Sequence, residues 1–118
     1  MKDNVILIKT ENYSLEIINL YNKLIKSSLG RILGNQLLRS GTSIGSNVIE
    51  SQGAQSSADF IHKMSIAYKE ALESAYWLRL LMKGGISEKH ELKCLYDKSQ
   101  EIIRILAAIL KTSKSKGV

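Results

Sequence analysis

Residues 39–47 read RSGTSIGSN and contain a pattern that is typical of covalent catalysis. Gly41, Ser43 and Gly45 match G-x-S-x-G, which in α/β-hydrolases marks a strained strand-to-helix turn that presents a nucleophilic serine. Such a serine also requires a histidine base and an acid, held by a multi-stranded sheet. The chain has only two histidines, His62 and His90, so the hydrolase interpretation depends on where the elements place them.

The residues around Ser43 have the spacing of a helix, not of a strand followed by a sharp turn. Helical spacing leads into the pattern through residues 34–40 and continues out of it through residues 44–51. A chain of 118 residues is also too short for the hydrolase sheet, and both histidines are expected at exposed helix positions. We therefore predict that Ser43 is not catalytic and that the protein is not an enzyme.

Phosphate-loop and metal chemistry have no better support in the sequence. Three residues, where a phosphate loop has four, separate Gly41 from Gly45, and no lysine follows. The sequence has no Glu-x-x-His motif, no His-Glu-x-x-His motif and only one cysteine, Cys94. A lone cysteine between Leu92 and Leu95 is typical of a packing residue in a reducing compartment. These patterns predict no metal, no cofactor and a cytoplasmic protein.

The elements that position these residues are predicted to be four helices. The chain contains no proline, which helix interiors exclude, and its apolar residues recur at three- and four-residue steps. Ser56 or Ser57 is expected to cap the third helix, and Ser87 to cap the fourth. The stretch KGG, Lys83 to Gly85, is expected to end the third helix, with a cation in the last turn and glycine after it. The predicted helices cover about residues 12–29, 32–52, 57–83 and 88–110.

Four amphipathic helices joined by short links predict one all-α domain, residues 1–118, folded as an antiparallel up-down-up-down four-helix bundle. Residues 1–11 are predicted to form an N-terminal arm. The apolar run NVILI within that arm is far too short to span a membrane. Residues 111–118 are predicted to form a basic, frayed tail.

Small residues in the second helix favour close helix packing. Gly41 and Gly45 stand four residues apart on one helix face, where the lack of a side chain lets another helix approach. Ser43 and Asn47 belong to a polar stripe, with Gln36 and Ser40, that predicts register-fixing hydrogen bonds in an interface. A solvated polar face explains the same stripe equally well.

The third helix is apolar beyond a single stripe, which predicts a second contact surface and therefore self-association. Tyr76 and Trp77 are expected in the core or in that interface, although the nearby Arg79 and Lys83 would also suit stacking on single-stranded nucleic acid. Arg39 and Glu50 of the second helix are expected to pair with the third, among Lys69, Glu70 and Glu73.

The net charge of +6 is compatible with weak nucleic-acid binding, and equally with a solvated lysine-rich surface. A continuous basic face would favour nucleic-acid binding, whereas an even scatter of cations would favour a structural role. The candidate nucleic-acid-binding residues are basic side chains in or next to the second and third helices and in the tail: Arg31, Arg39, Lys63, Lys69, Arg79, Lys83, Lys111, Lys114 and Lys116.

Residues 36–81 resemble the four-helix-bundle proteins named after the 23S rRNA intervening sequence. The second helix of that family carries R-S-x-x-S-I-x-x-N-I-x-E, which this chain matches at Arg39, Ser40, Ser43, Ile44, Asn47 and Glu50. The family pattern D-F-I-x-K-x-x-I-A-x-x-E-x-x-E is matched across residues 59–73. At the end of this helix, residues 49–53 read IESQG where many members have AEG, which shifts the glycine.

The resemblance implies an antiparallel bundle that assembles as a homopentamer and brings no catalytic residues with it. The family is similar to the accessory variability protein of diversity-generating retroelements, a basic pentamer that binds a reverse transcriptase and nucleic acid. We therefore predict a non-enzymatic oligomer whose partners are its own copies and RNA, DNA or a reverse transcriptase, with no membrane partner. The alternative is a structural or protein-interaction oligomer without a nucleic-acid role.

Overall fold

The structure is a computed structural model that describes residues 2–116, and their side chains from residue 5 onward. Over those residues the chain forms four helices and no strand, which confirms the all-α prediction. The links between helices are three or four residues long, and the rod they form measures 48 × 21 × 20 Å. The helices are α1 (Lys2–Leu24), α2 (Ser28–Gln52), α3 (Ser57–Gly84) and α4 (Lys89–Lys116).

Local capping chemistry sets the bounds of α3 and the start of α4. Ser56, one of the two predicted caps, caps α3 by accepting the N–H of Asp59. Gly85, within the predicted KGG signal, follows the end of the helix in the left-handed conformation, with φ 65°. The fourth helix is capped by Glu88, where the sequence suggested Ser87. Its carboxylate accepts backbone N–H groups of Glu91 and His90, and these bonds lower the pKa of Glu88.

The first helix is longer at its start and shorter at its end than predicted. Residues 2–11 are helical and do not form an arm, because Ile6 and Thr10 are buried at positions that continue the stripe of Tyr13 and Ile17. Residue 1 of the predicted arm lies outside the described residues. The helix ends at Leu24, five residues earlier than predicted.

Gly30, the residue that follows the predicted first helix of residues 12–29, lies in the first turn of α2. Ser27 caps that helix by accepting the N–H of Gly30 at 3.0 Å. A Cβ atom on Gly30 would overlap the carbonyl oxygen of Leu24, so the glycine is what lets the chain turn directly from α1 into α2.

The predicted tail is also helical. The fourth helix continues through Lys116, because Leu110 still packs in the core and the following residues are all compatible with a helix. Lys111, Lys114 and Lys116 are exposed along its last turns. Residues 117–118 lie outside the described part of the chain.

The core consists of one buried stripe from each helix, and α3 packs against both α2 and α4. The off-stripe residues Ile61, Tyr68, Trp77 and Met82 of α3 are half-buried against this same core. The second contact surface that the sequence predicted for α3 is therefore largely supplied by helices of the same chain. Of the nine exposed large apolar residues between positions 5 and 116, four lie on α1, three on α2 and two on α3.

Contacts along neighbouring helices define their relative directions. Gly34 of α2 faces Leu24 of α1, while Gly45 faces Thr10, so residue numbers rise along one helix as they fall along the other. Ion pairs show the same trend between α1 and α4, from Lys9–Glu101 to Lys23–Glu91. The α1–α2 and α3–α4 links therefore share one end of the rod, which we call the two-loop end.

Candidate interaction surfaces

The G-x-S-x-G pattern lies in the middle of α2, as predicted, with helix on both sides. Gly41 and Gly45 face α1: a Cβ on Gly41 would stand 3.1 Å from Ile17 Cγ1, and one on Gly45 would stand 3.5 Å from Thr10 Oγ1. The close helix approach that these glycines allow is therefore with α1 of the same chain.

The polar stripe beside the glycines makes its hydrogen bonds within α2. Ser40 is buried and donates to the carbonyl oxygen of Gln36 at 2.9 Å. Asn47 donates to the carbonyl oxygen of Ser43 at 2.9 Å. These bonds satisfy the side chains locally, so the stripe does not set the register between helices. His62 and His90 are exposed on α3 and α4.

Two ion-pair groups join α2 to α3. Arg39 contacts Glu70 at 3.2 Å and also Glu73, whose carboxylate in addition accepts the indole N–H of Trp77 at 3.0 Å. Glu50 pairs with Lys63 at 2.8 Å, and this hydrogen bond raises the pKa of Lys63. The partners expected for Arg39 are therefore the observed ones, whereas Glu50 pairs with a residue outside the expected set.

Tyr76 and Trp77 occupy different environments. Trp77 is half-buried against the core, and its ring contacts the Tyr76 ring edge-on at 5.2 Å between centroids. Tyr76 is exposed and lies under the guanidinium of Arg79, 5.7 Å from the ring centroid. Tyr76 and Arg79 line a shallow groove of about 320 Å³. Its other walls include Leu72 of α3 and two residues of α4, Tyr96 and Ile103. We call it the α3/α4 groove.

The candidate basic residues do not form one continuous face of the subunit. Arg31 and Lys83 lie at the two-loop end, with Arg79 one turn further in. Lys69 lies on the middle of α3, and the three candidate lysines of α4 lie at the opposite end of the rod. Arg39 and Lys63 are already neutralised by carboxylates of the same chain.

Many cations nevertheless lack a carboxylate partner. Of the 16 Lys and Arg residues between positions 5 and 116, six take part in ion pairs and ten do not. Of the ten Asp and Glu residues over the same range, seven are paired. Two cations that sequence reasoning missed, Lys26 and Lys89, join Arg31 and Lys83 at the two-loop end, and all four are exposed.

A ladder of charges between α1 and α4 was also missed. Lys9–Glu101, Glu16–Lys98 and Lys23–Glu91 join the helices at 3.1, 2.7 and 2.9 Å. Behind the first two pairs lies an open groove of about 340 Å³, whose floor includes Tyr13 and Ile102. The spacing of charges within one helix does not show which charges of another helix they will meet. The sequence alone therefore did not predict these pairs.

Tyr13 is the buried polar group of that region. Its hydroxyl lies 2.9 Å from Ser74 Oγ, and Ser74 in turn donates to the carbonyl oxygen of Ala71. Burial raises the pKa of Tyr13 to about 12. Every buried side-chain N or O atom between residues 5 and 116 has a hydrogen-bond partner, so this interior shows no unfilled ligand position.

The outward face of α1 carries few charged side chains. Between residues 5 and 22 its exposed side chains are four aliphatic residues, three asparagines and one glutamate: Val5, Ile8, Glu11, Asn12, Leu15, Ile18, Asn19 and Asn22. We call this set the α1 face. The sequence prediction placed three of these eight residues in an arm, because residues 1–11 were not assigned to the first helix.

Between residues 5 and 116 no three His, Cys, Asp or Glu side chains cluster in a way that would hold a metal ion. Among α1 to α4, as far as the structure describes them, none combines the length and the apolar character needed to cross a membrane.

The fold of the described residues defines a four-helix-bundle protein. The family model described as 23S rRNA-intervening sequence protein matches residues 2–108. The chain belongs to this family, which confirms the resemblance seen in the sequence. No curated protein is significantly similar to it.

Among solved structures, the chain is similar to a protein of unknown function from the S23 ribosomal protein family of Bacteroides thetaiotaomicron VPI-5482. The two share 42% sequence identity with a TM-score of 0.88. The similarity covers 94% of this chain and 99% of the other.

Proposed function

We propose that this protein is a non-enzymatic, cytoplasmic, self-associating helical bundle that binds nucleic acid, or a nucleic-acid enzyme such as a reverse transcriptase, through basic surface residues. The observation that carries the proposal is the charge imbalance outside ion pairs. Ten cations but only three carboxylates remain there between residues 5 and 116. Such an excess attracts a polyanion through counterion release.

The two-loop end is the part of the surface best suited to this contact. Lys26, Arg31, Lys83 and Lys89 come from different elements but converge there. The nearby carboxylates are engaged, since Glu91 pairs with Lys23 and Glu88 caps α4. The cations of this end are therefore the ones that a phosphate backbone meets with the least local repulsion.

The proposal includes an antiparallel up-down-up-down subunit and a homopentameric assembly. The opposite trend of residue numbers along α1/α2 and α1/α4 supports the subunit arrangement. The α1 face supports self-association, because a helix surface with one charge among eight exposed side chains is unusual for a face in water. In a ring, the two-loop ends of neighbouring subunits would combine into one larger basic surface.

A second candidate is a structural oligomer without a nucleic-acid role. The separation of the cations between the two ends of the rod favours it, as does the neutralisation of Arg39 and Lys63. The two candidates share the oligomer and differ in whether a polyanion binds.

The test is a titration of labelled single-stranded RNA, and of DNA, at two salt concentrations. We expect Lys26→Gln/Arg31→Gln/Lys83→Gln to lower RNA affinity by about tenfold or more and to reduce the salt slope by about two. The matched control Lys111→Gln/Lys114→Gln/Lys116→Gln removes the same charge from the opposite end and should change affinity by about twofold.

Absence of RNA and DNA binding by an oligomeric protein would favour the structural candidate. Binding that does not weaken as salt rises would contradict the electrostatic mechanism. Equal losses in the two triple variants would contradict the assignment to the two-loop end.

A further inference from the structure

We propose that the α1 face of one copy packs into the α3/α4 groove of a second copy, so that subunits associate head to tail. This inference rests on the proposed self-association and gives that association its surfaces. The partner is thus a second copy of this chain, joined through two different patches. The composition, charge and spacing of those patches support this contact.

The composition of the α1 face points to burial. Ile8, Leu15 and Ile18 are exposed by 60%, 53% and 42%, and the remaining exposed side chains between residues 5 and 22 are Val5, one glutamate and three asparagines. Asparagine side chains pair readily with the polar rim of an interface, and their burial avoids the desolvation of a charge. Side chains of this kind are suited to an interface that excludes water.

The α3/α4 groove supplies a complementary surface. Its apolar walls come from Leu72 and Tyr76 on α3 and from Tyr96 and Ile103 on α4. Exposed aromatic residues beside an arginine are the side chains most often found at the centre of protein interfaces. The α1 face in turn offers aliphatic side chains that fit between such rings.

The charges of the two patches match each other. Glu11 is the single charged residue among the exposed side chains of the α1 face, and it is acidic. Arg79 is the charged residue of the α3/α4 groove, and it is basic. Neither takes part in an ion pair between residues 5 and 116 of its own chain. A second copy therefore brings each of them a partner.

The spacing of the apolar residues agrees with that pairing. Tyr76 and Leu72 lie three and seven residues before Arg79, or about 4.5 and 10.5 Å along the helix axis. On α1, Leu15 and Ile18 lie four and seven residues after Glu11, or about 6 and 10.5 Å. When Glu11 is placed at Arg79 with the two helices in opposite directions, Leu15 meets Tyr76 and Ile18 meets Leu72.

The two patches are different surfaces of the same chain, so their contact is heterologous. Such a contact leaves one unused patch at each end of a pair. Further subunits therefore add until a ring closes, and if no ring closes the chain of subunits grows as a filament. This mode of association agrees with the closed ring that we propose for the assembly. It also excludes a simple two-fold dimer through the α1 face alone.

The experiment is light scattering on the full chain, with folding of each variant checked by circular dichroism. We expect Leu15→Glu on the α1 face and Leu72→Glu in the groove each to weaken self-association about 30-fold or more, which corresponds to about 2 kcal/mol. The control Ile32→Glu changes an equally exposed residue, 62%, on α2 outside both patches, and should alter association by about twofold or less.

A mixture provides the sharper readout. Leu15→Glu retains an intact groove and Leu72→Glu retains an intact α1 face, so their equimolar mixture should form a heterodimer with one good contact. Glu11→Arg and Arg79→Glu should each weaken association, and the double variant should recover it, because both charges are then exchanged.

The outcomes separate this inference from the proposed function. A monomeric wild-type protein overturns both the inference and the proposed self-association. An oligomer that survives both Leu15→Glu and Leu72→Glu overturns the inference alone, as does one that Ile32→Glu disrupts equally. If Leu72→Glu and Tyr76→Ala leave the oligomer intact but abolish RNA binding, the groove is a nucleic-acid site and the inference is wrong.

Discussion

The first helix joins its two neighbours by opposite means. Against α2 it packs closely, because α2 lacks side chains where α1 approaches: Gly34 faces Leu24 and Gly41 faces Ile17. Against α4 it packs less extensively and is held at the rim by ion pairs such as Glu16–Lys98. The same helix is therefore held by close packing against α2 and, at its other edge, partly by ion pairs with α4.

We call the α1/α2 contact the tight seam and the α1/α4 contact the loose seam, and the two also differ in what remains open between the helices. The glycines close the α1/α2 seam around apolar contacts, whereas the α1/α4 seam leaves a groove of about 340 Å³ that reaches Tyr13. Dispersion contacts depend strongly on distance and little on salt. Exposed ion pairs depend less steeply on distance, and salt screens them. Variants in the two seams should therefore differ in magnitude and in salt sensitivity.

The largest effect is expected from filling the tight seam. Gly41→Leu places a Cβ atom 3.1 Å from Ile17 Cγ1 and more atoms beyond it, so α1 must shift. We expect a loss of about 3 kcal/mol in the free energy of unfolding, measured with urea. Gly45→Ala is the matched control: its Cβ would stand 3.5 Å from Thr10, an ordinary contact, and should stabilise by up to about 1 kcal/mol through helix propensity. Equal effects of the two variants would contradict the tight-seam description.

A smaller effect is expected from the polar interior behind the loose seam. The folded-state pKa of Tyr13, about 12, is above its ordinary value of 10.0, so the folded protein retains the phenol proton longer than the unfolded chain does. The corresponding stability is fully present below pH 10 and is lost as the pH rises from 10 to 12. Its size is about 2–3 kcal/mol, from about 1.4 kcal/mol per pKa unit.

Urea unfolding at several pH values, with Tyr13→Phe as the comparison, measures the stability that the protonated Tyr13 contributes. The variant should lose less stability than the wild-type protein between pH 10 and 12. Parallel decline of the two proteins would show that Tyr13 does not titrate as its burial requires.

The bounds of α3 were predictable from the sequence, while the seams of α1 were not. Ser56 and Gly85 act within a few residues of themselves, so local patterns reveal them. The arm was a wrong prediction because the run at residues 4–8 resembles a strand, whereas Ile6 and Thr10 are buried as a continuation of the α1 stripe. The choice between arm and helix depends on tertiary burial, which local periodicity does not report.

The candidate surfaces show the same division. The partners of Arg39 were predictable because both lie at helical spacing on the helix that follows in the chain. The Glu16–Lys98 pair joins residues far apart in sequence, so its formation depends on which helices become neighbours and in which register. The exposed aliphatic residues of α1 have the same helical periodicity as core residues, and the structure alone separates the two sets.

The smallest effect is expected from the charges of the loose seam. Lys98→Gln removes a pair that lies at the protein surface, and exposed pairs of this kind contribute about 0–1 kcal/mol. Lys93→Gln is the matched control, because the Lys93–Asp97 pair lies within α4 and joins no two helices. We expect Lys98→Gln, unlike the control, to speed amide exchange in α1 around Tyr13, with the difference shrinking as salt rises. Equal exchange in both variants would mean that the ladder does not hold α1 to α4, and that the apolar contacts alone close this seam.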